Sequence, residues 1–144
     1  MNSETTKNPG ARKRIRILIA DDSAAFRSAV GQFLDRLPQV EVVGAAEDGE
    51  HALTLVASLR PDLVLMDLKM PRLNGLQATQ KIRAEFHDVH VIIITLHDSK
   101  ELRAASVASG ADRFIPKRGL RDELPGAIAE LFPGRAGGAE EERP

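Results

Sequence analysis

At 144 residues the chain has the length of one domain, of a size that buries roughly 70% of the surface its unfolded form exposes. It is 42% hydrophobic and 28% charged, with five Phe and neither Trp nor Tyr, so the core must be built from Leu, Val, Ile and Ala. The absence of Cys excludes disulfides and thiolate chemistry, a formal net charge of −1 argues against bulk electrostatic binding of nucleic acid, and no apolar run approaches the ~20 residues of a membrane span.

Residues 1–14 are polar, contain Asn8-Pro9-Gly10 and the basic trio Arg12, Lys13 and Arg14, and read as a flexible tail rather than a nucleic-acid arm. Ile15–Ala20 is apolar enough for a strand and ends at Asp21-Asp22-Ser23. Phe26, Val30, Phe33, Leu34 and Leu37 then recur at three- and four-residue steps, the period of an amphipathic helix, with Ser23 as its N-cap and Pro38 as its end. Val40–Ala46 is a second strand. Asp48-Gly49 reads as a turn, and Ala52, Leu55, Val56 and Leu59 mark a second helix stopped by Pro61.

Leu63–Met66 forms a third strand that runs straight into Asp67. After a Met70-Pro71 loop, Leu76, Thr79, Ile82, Arg83 and Phe86 trace a third helix, and the β-branched run Val89–Thr95 is a fourth strand. Leu102, Ala105 and Ala108 give the fourth helix a thin apolar face, with Gly110 as its C-cap candidate. Arg113–Pro116 is a short fifth strand followed by Lys117. Leu124, Ile128, Leu131 and Phe132 mark the last helix, which tolerates Pro125 only in its first turn. Residues 133–144, rich in Gly and Glu, read as a disordered tail or linker, leaving 15–132 as the folded domain.

Strands alternating with helices, and strands apolar nearly throughout, predict an α/β domain: a five-stranded, doubly wound parallel sheet covered on both faces by five helices, with right-handed crossovers. Ligands of such sheets bind outside the carboxyl ends of the strands. Asp21 and Asp22 stand at the end of the first strand, Asp67 at the third, Thr95 at the fourth and Lys117 at the fifth. Alone, Thr95 would be a strand residue and Lys117 a solvated lysine; their company changes the reading. Bringing carboxylates together costs about 4 kcal/mol per pair at ~4 Å and an effective dielectric of about 20, and Lys117 offers one compensating charge. A divalent cation relieves this, and oxygen donors without His or Cys partners fit Mg²⁺. Without a metal, the carboxylate pKa values would rise instead. His51, His87, His90 and His97 lack metal-ligand spacing; three read as surface residues, and His97 alone lies near the acids.

The Asp21-Asp22 pair, the segment MDLKMPRLNG (66–75), IIIT (92–95) and GADRFIPK (110–117) together resemble the response-regulator receiver domains of two-component signalling, the CheY-like modules, from about Arg14 to Phe132. The resemblance implies the strand order 2-1-3-4-5. It implies that Asp67 is the phosphoacceptor for a sensor histidine kinase, a phosphotransfer protein or a small phosphodonor. Mg²⁺ would be held by Asp22, Asp67, Asp21 (mostly through water) and the Lys69 backbone carbonyl. Lys117 would neutralise phosphoryl oxygens, Thr95 would hydrogen-bond them, and Phe114 would change rotamer, repacking the face of helix four, strand five and helix five. That face would meet a downstream protein or a second copy of the chain. Such a chain signals in the cytoplasm and catalyses only its own phosphorylation and dephosphorylation.

Departures from the family pattern carry expectations of their own. Leu96 stands where a small residue is usual, so uptake from small donors should be slow. Lys69 and His97 flank the attacking water and lack the acid-amide pairing of fast self-hydrolysis, so the phosphoryl group should persist for minutes or longer. Arg118 follows Lys117 where many members have Pro, so the Lys-Pro cis bond of the family cannot form. Arg103, Arg113, Arg118 and Arg121 fall on the expected output face.

The run also resembles receivers attached to helix-turn-helix transcription factors. No DNA-binding domain follows Phe132, so either a stand-alone regulator or the receiver of a longer factor is expected, without nucleic-acid or membrane binding by this chain itself. Two rivals remain. A Mg²⁺-dependent phosphatase of the haloacid-dehalogenase type would need an Asp-x-Asp motif on the first strand, where this chain has adjacent Asp21-Asp22. A phosphorylation-independent binding module would have no need of the full acidic set.

Overall fold

A computed structural model describes residues 13–135; most of the two expected tails, residues 1–12 and 136–144, lies outside the described residues. The five apolar runs form β1 (Ile15–Ala20), β2 (Val40–Ala46), β3 (Leu63–Asp67), β4 (His90–Thr95) and β5 (Arg113–Pro116). The amphipathic segments form α1 (Ala24–Asp35), α2 (Gly49–Leu59), α3 (Gly75–Glu85), α4 (Lys100–Ala108) and α5 (Leu120–Leu131), the last entered through a 3₁₀ turn at Lys117–Gly119. The strands pair in parallel in the order β2-β1-β3-β4-β5.

Because side chains alternate along a strand, each strand feeds both faces of the sheet. Ile15, Ile17, Ile19, Leu63, Leu65, Ile92 and Ile94 pack with Leu34 of α1 and with Leu124, Ile128 and Phe132 at α5. Leu18, Val64, Met66, Val91 and Ile93 pack on the other face with Val56 of α2 and with Ala78 and Ile82 of α3. Each fully buried Leu or Ile contributes roughly 1.5–3 kcal/mol, so this double core holds the strand ends rigidly in place. No helix among the described residues is long and apolar enough to cross a membrane.

Four local expectations need correction. Asp48 is more than a turn residue: its extended backbone and its Oδ1, which accepts from His51 N at 2.8 Å, make it the N-cap of α2. On α4 Ala108 is exposed, whereas Ser106 and the C-cap residue Ser109, which stands where Gly110 was expected, are buried. Their hydroxyls donate to the Leu102 and Ser106 carbonyls at 2.8 and 2.7 Å, which satisfies them inside the contact. Pro125 lies in the second turn of α5, not the first. It leaves the Arg121 carbonyl without a helical donor, on a residue exposed to water. Finally, His90 is half-buried rather than on the surface: its Nδ1 lies 3.2 Å from Asp112 Oδ2 and its ring meets Phe132 edge-on at 5.0 Å.

Candidate functional site

The strand register assembles the site. Ala20 pairs with Met66, which sets Asp21 abreast of Asp67. Asp67 pairs with Ile94, which sets Thr95 one residue beyond, and Thr95 pairs with Pro116, which delivers Lys117 next. Beside them, the β3–α3 loop closes tightly, with Gly75 N donating to the Leu68 carbonyl at 2.9 Å. A Cβ on Gly75 would collide with the Asp67 carbonyl oxygen, so only glycine lets α3 begin this close to β3.

Asp21, Asp22, Asp67, Lys69, Thr95, Leu96, His97 and Lys117 all line one cavity of ≈ 200 Å³, together with Ser23. Ser23 was legible only as a helix cap; its backbone N–H also donates to Asp21 Oδ1 at 2.8 Å. Asp21 is completely buried, Asp67 is 6% exposed, and Asp22 faces solvent. One carboxylate oxygen from each lies within 4.8 Å of the other two.

Lys117 is the buried counter-charge. Its Nζ is 2.6 Å from Asp21 Oδ2 and 3.7 Å from Asp67 Oδ1, and sits 4.1 Å from the centroid of the Phe26 ring. Phe26, foreseen only as a helix-face residue, thus supplies a cation–π contact to the ammonium that pairs with the buried acids. One lysine cannot neutralise three carboxylates. Burial first, then the Asp21 charge, pushes the Asp67 carboxyl up to about 6, Lys117 pulling the other way and Asp22 adding a smaller upward push. Asp21 Oδ2 is buried without a hydrogen bond: Lys117 comes close but not along a hydrogen-bonding direction. A buried oxygen with a free lone pair, facing two further carboxylates, is what a hard divalent cation would bind, so the residues fit such an ion.

Thr95 is almost fully buried, and its Oγ1 accepts from His97 N at 3.2 Å. Leu96 does not plug the cavity; it stands on the rim, 72% exposed. Phe114 lies apart from the cavity, half-buried against the α2–α4 side of the core, with the Arg103 guanidinium 4.7 Å from its ring centroid. The arginines expected to charge the output face are mostly paired: Arg103 grips Asp98 at 2.8 and 3.1 Å, Arg118 lies 3.6 Å from Asp98, and Arg113 lies 2.9 Å from Glu130. No peptide bond among the described residues is cis, so Lys117–Arg118 is trans. A second, mostly apolar groove of ≈ 640 Å³ shares Asp22, Lys69 and Thr95 with the acidic cavity and continues along Leu68, Met70, Pro71, Leu76 and Leu102.

Comparison with known proteins agrees with this geometry. The family model for the response regulator receiver domain matches residues 17–129. The chain is 35% identical to the transcriptional regulatory protein DegU of Brevibacillus brevis over 94% of its own length and 56% of that protein. It is 33% identical to the response regulator GacA of Pseudomonas aeruginosa over 84% of its length and 56% of that protein. It thus spans about half the length of these curated relatives. Among solved structures, the receiver domain of the response regulator NarL from Mycobacterium tuberculosis superposes with a TM-score of 0.78 at 31% identity, over 82% of this chain and 95% of that one. A LuxR-family two-component response regulator from Aurantimonas sp. SI85-9A1 gives 0.78 at 30% identity, over 91% of this chain and 99% of that one. Register, site and similarity converge on one assignment: this chain belongs to the response regulator receiver domain family.

Proposed function

We propose that the chain is a phosphoacceptor switch: Asp67 takes a phosphoryl group from the phosphohistidine of a sensor kinase or phosphotransfer protein, in the presence of Mg²⁺, in the cytoplasm. A carboxylate oxygen of Asp67 bonds to phosphorus as the phosphorus–nitrogen bond breaks and the histidine leaves. The observation that supports this most is the placement of Asp67. Its carboxylate is buried at the base of a cavity walled by two further acids, a threonine and a lysine from three other strand ends.

Asp22, Asp67, the Lys69 backbone carbonyl and, mostly through water, Asp21 would hold Mg²⁺, which would supply neutralisation of charge on the transferring phosphoryl group. The chain's own residues do the rest. Lys117, 3.7 Å from Asp67, offers its ammonium to a phosphoryl oxygen. Thr95 Oγ1 spends a lone pair on His97 N, leaving its hydroxyl proton to donate to the phosphoryl group. That new contact draws the Thr95 hydroxyl toward the phosphoryl group, and the β4–α4 segment that His97 N ties to the same oxygen moves with it. Phe114 and the Arg103 stacked on it lie next along β5 and α4, so the change reaches the α4–β5–α5 face that would meet a partner protein or a second copy. With whole relatives such as DegU described as transcriptional regulatory proteins, the longer chain of which this would be the receiver is proposed to regulate transcription.

Leu96 and the Lys69–His97 pair set the rates. Leu96→Ala is expected to raise the initial rate of uptake from acetyl phosphate a few-fold, the rim Leu being the side chain a small donor must pass. Unchanged uptake would remove Leu96 from the rate. In the same assay, after the donor is removed, the wild-type phosphoryl group is expected to last minutes or longer, and loss within seconds would contradict the roles given to Lys69 and His97. The phosphatase reading finds no support at the first strand, which ends in adjacent Asp21-Asp22 where that class needs an Asp-x-Asp motif. Steady turnover of a phosphoester by the wild type would revive it.

A further inference from the structure

The β3–α3 loop carries Lys69 past the acidic cavity, and its shape is not relaxed. Arg72 has φ +70°, and Leu73 N donates to the Pro71 carbonyl at 2.7 Å, so Arg72 is the centre of a three-residue γ-turn. The positive-φ form of this turn is rare and strained, and a long side chain at its centre persists only if the surroundings hold it.

Asp48 holds it. Arg72 Nε and Nη2 both donate to Asp48 Oδ2, at 2.9 and 2.7 Å. Asp48 itself is 5% exposed and is fixed by its other oxygen, which caps α2 through His51 N. The two charges join loops that lie 24 residues apart in sequence. A close backbone approach locks the same joint: a Cβ on Gly49 would collide with the Leu73 carbonyl oxygen. At the other end, Gly75 N to Leu68 O and the reciprocal Asn74–Gln77 capping box pin the loop to β3 and α3. Between these two anchors Met70 is buried in the core, while Lys69 is exposed and lines the acidic cavity.

We infer that the Arg72–Asp48 ion pair is a positioning device for the acidic site. It holds the β3–α3 loop in a strained turn and so presents the Lys69 segment to the cation and the phosphoryl group. Neither residue touches the reacting atoms. The inference rests on the phosphoacceptor reading above, and it adds residues outside the cavity to the set that determines cation affinity.

Three variants separate the possible causes. Asp48→Asn keeps an oxygen to cap α2 but discards the charge. Arg72→Lys keeps the charge but not the two-donor fork. Arg72→Gly removes the strap while adopting φ +70° without strain. Calorimetric titration with Mg²⁺ and the melting temperature of the metal-free protein are measured for each, together with the rate of uptake from acetyl phosphate. Residues that orient metal ligands typically change affinity by about tenfold or more. Asp48→Asn and Arg72→Gly are expected to weaken Mg²⁺ binding by about that factor, and Arg72→Lys by less. The metal-free melting temperature of Arg72→Gly is expected to stay near wild type, relief of strain offsetting the lost pair.

Wild-type Mg²⁺ affinity in both Asp48→Asn and Arg72→Gly would overturn the inference. So would a loss of affinity confined to variants whose metal-free melting temperature also falls, since that is a stability effect. If the wild type itself neither binds Mg²⁺ nor accepts phosphate, the phosphoacceptor reading fails and takes this inference with it.

Discussion

Asp67→Asn is expected to make the metal-free protein more stable at pH 7.5 and above, by up to about 3 kcal/mol, while abolishing phosphoryl uptake. Burial, and next the facing Asp21 charge, push the Asp67 carboxyl from its ordinary 3.8 up to about 6 in the fold. A difference of about two units corresponds to about 3 kcal/mol. The sign follows from linkage. A carboxyl whose pKa is raised by folding costs stability in full above its folded value, and the cost disappears below its unfolded value. The advantage of the Asn variant should therefore be largest above pH 7, shrink as pH falls through 6, and vanish near pH 4. Urea unfolding across that range reads it directly. Saturating Mg²⁺ should narrow the gap, because binding to the folded wild type adds stability that a variant lacking this carboxylate gains less of. A gap that is constant from pH 4 to 8, or of opposite sign, would show that the burial of Asp67 is not what strains the site.

Lys117→Met is expected to act in the opposite direction and at least as strongly. Lys117 Nζ is the close cationic neighbour of completely buried Asp21 and the second neighbour of Asp67. Taking one partner from a buried ion pair leaves an uncompensated charge and typically costs about 3–5 kcal/mol. Met fills the space of the Lys117 stem without its charge, so the loss reports the ammonium, its cation–π contact with Phe26 included, and not a cavity. The effect should be strongest above pH 6 and partly reversed by Mg²⁺, which restores positive charge to the same carboxylates. Adding Asp67→Asn to Lys117→Met should recover part of the loss, since the two groups interact and their effects cannot be additive. An unfolding midpoint unchanged by Lys117→Met would mean that the Lys117 ammonium is not what offsets the acids of the site.

The fold was legible because its information is local and periodic. Leu63–Met66 and Val91–Ile94 are apolar without interruption, which only strands buried on both faces require, and the helices between them repeat at three and four residues. The acids, Thr95 and Lys117 were legible as a group for a related reason: each immediately follows or ends a strand, and a parallel sheet gathers those ends on one edge. Contacts fixed by side-chain reach across the fold were not legible. Nothing in the order of residues pairs Arg72 with Asp48, and Arg72 at φ +70° runs against the expectation that such a position carries glycine. His90 was misread for the same reason, its partners Asp112 and Phe132 being distant in sequence. On α4 the apolar count pointed to Ala108, whereas the buried stripe runs through Ser106 and Ser109, small residues whose hydroxyls bond back to their own helix. Leu96 was placed correctly at the cavity but not with its side chain standing out at the rim.

The most direct test is to incubate the protein with acetyl phosphate and Mg²⁺, follow intact mass, and map the modified peptide, with Asp67→Asn and a magnesium-free sample as controls. A gain of one phosphoryl group on the peptide containing Asp67, absent from both controls, is the expected result. No adduct on the wild type, even with a beryllium fluoride mimic in place of the donor, or an adduct that persists in Asp67→Asn, would contradict the assignment of Asp67 as phosphoacceptor.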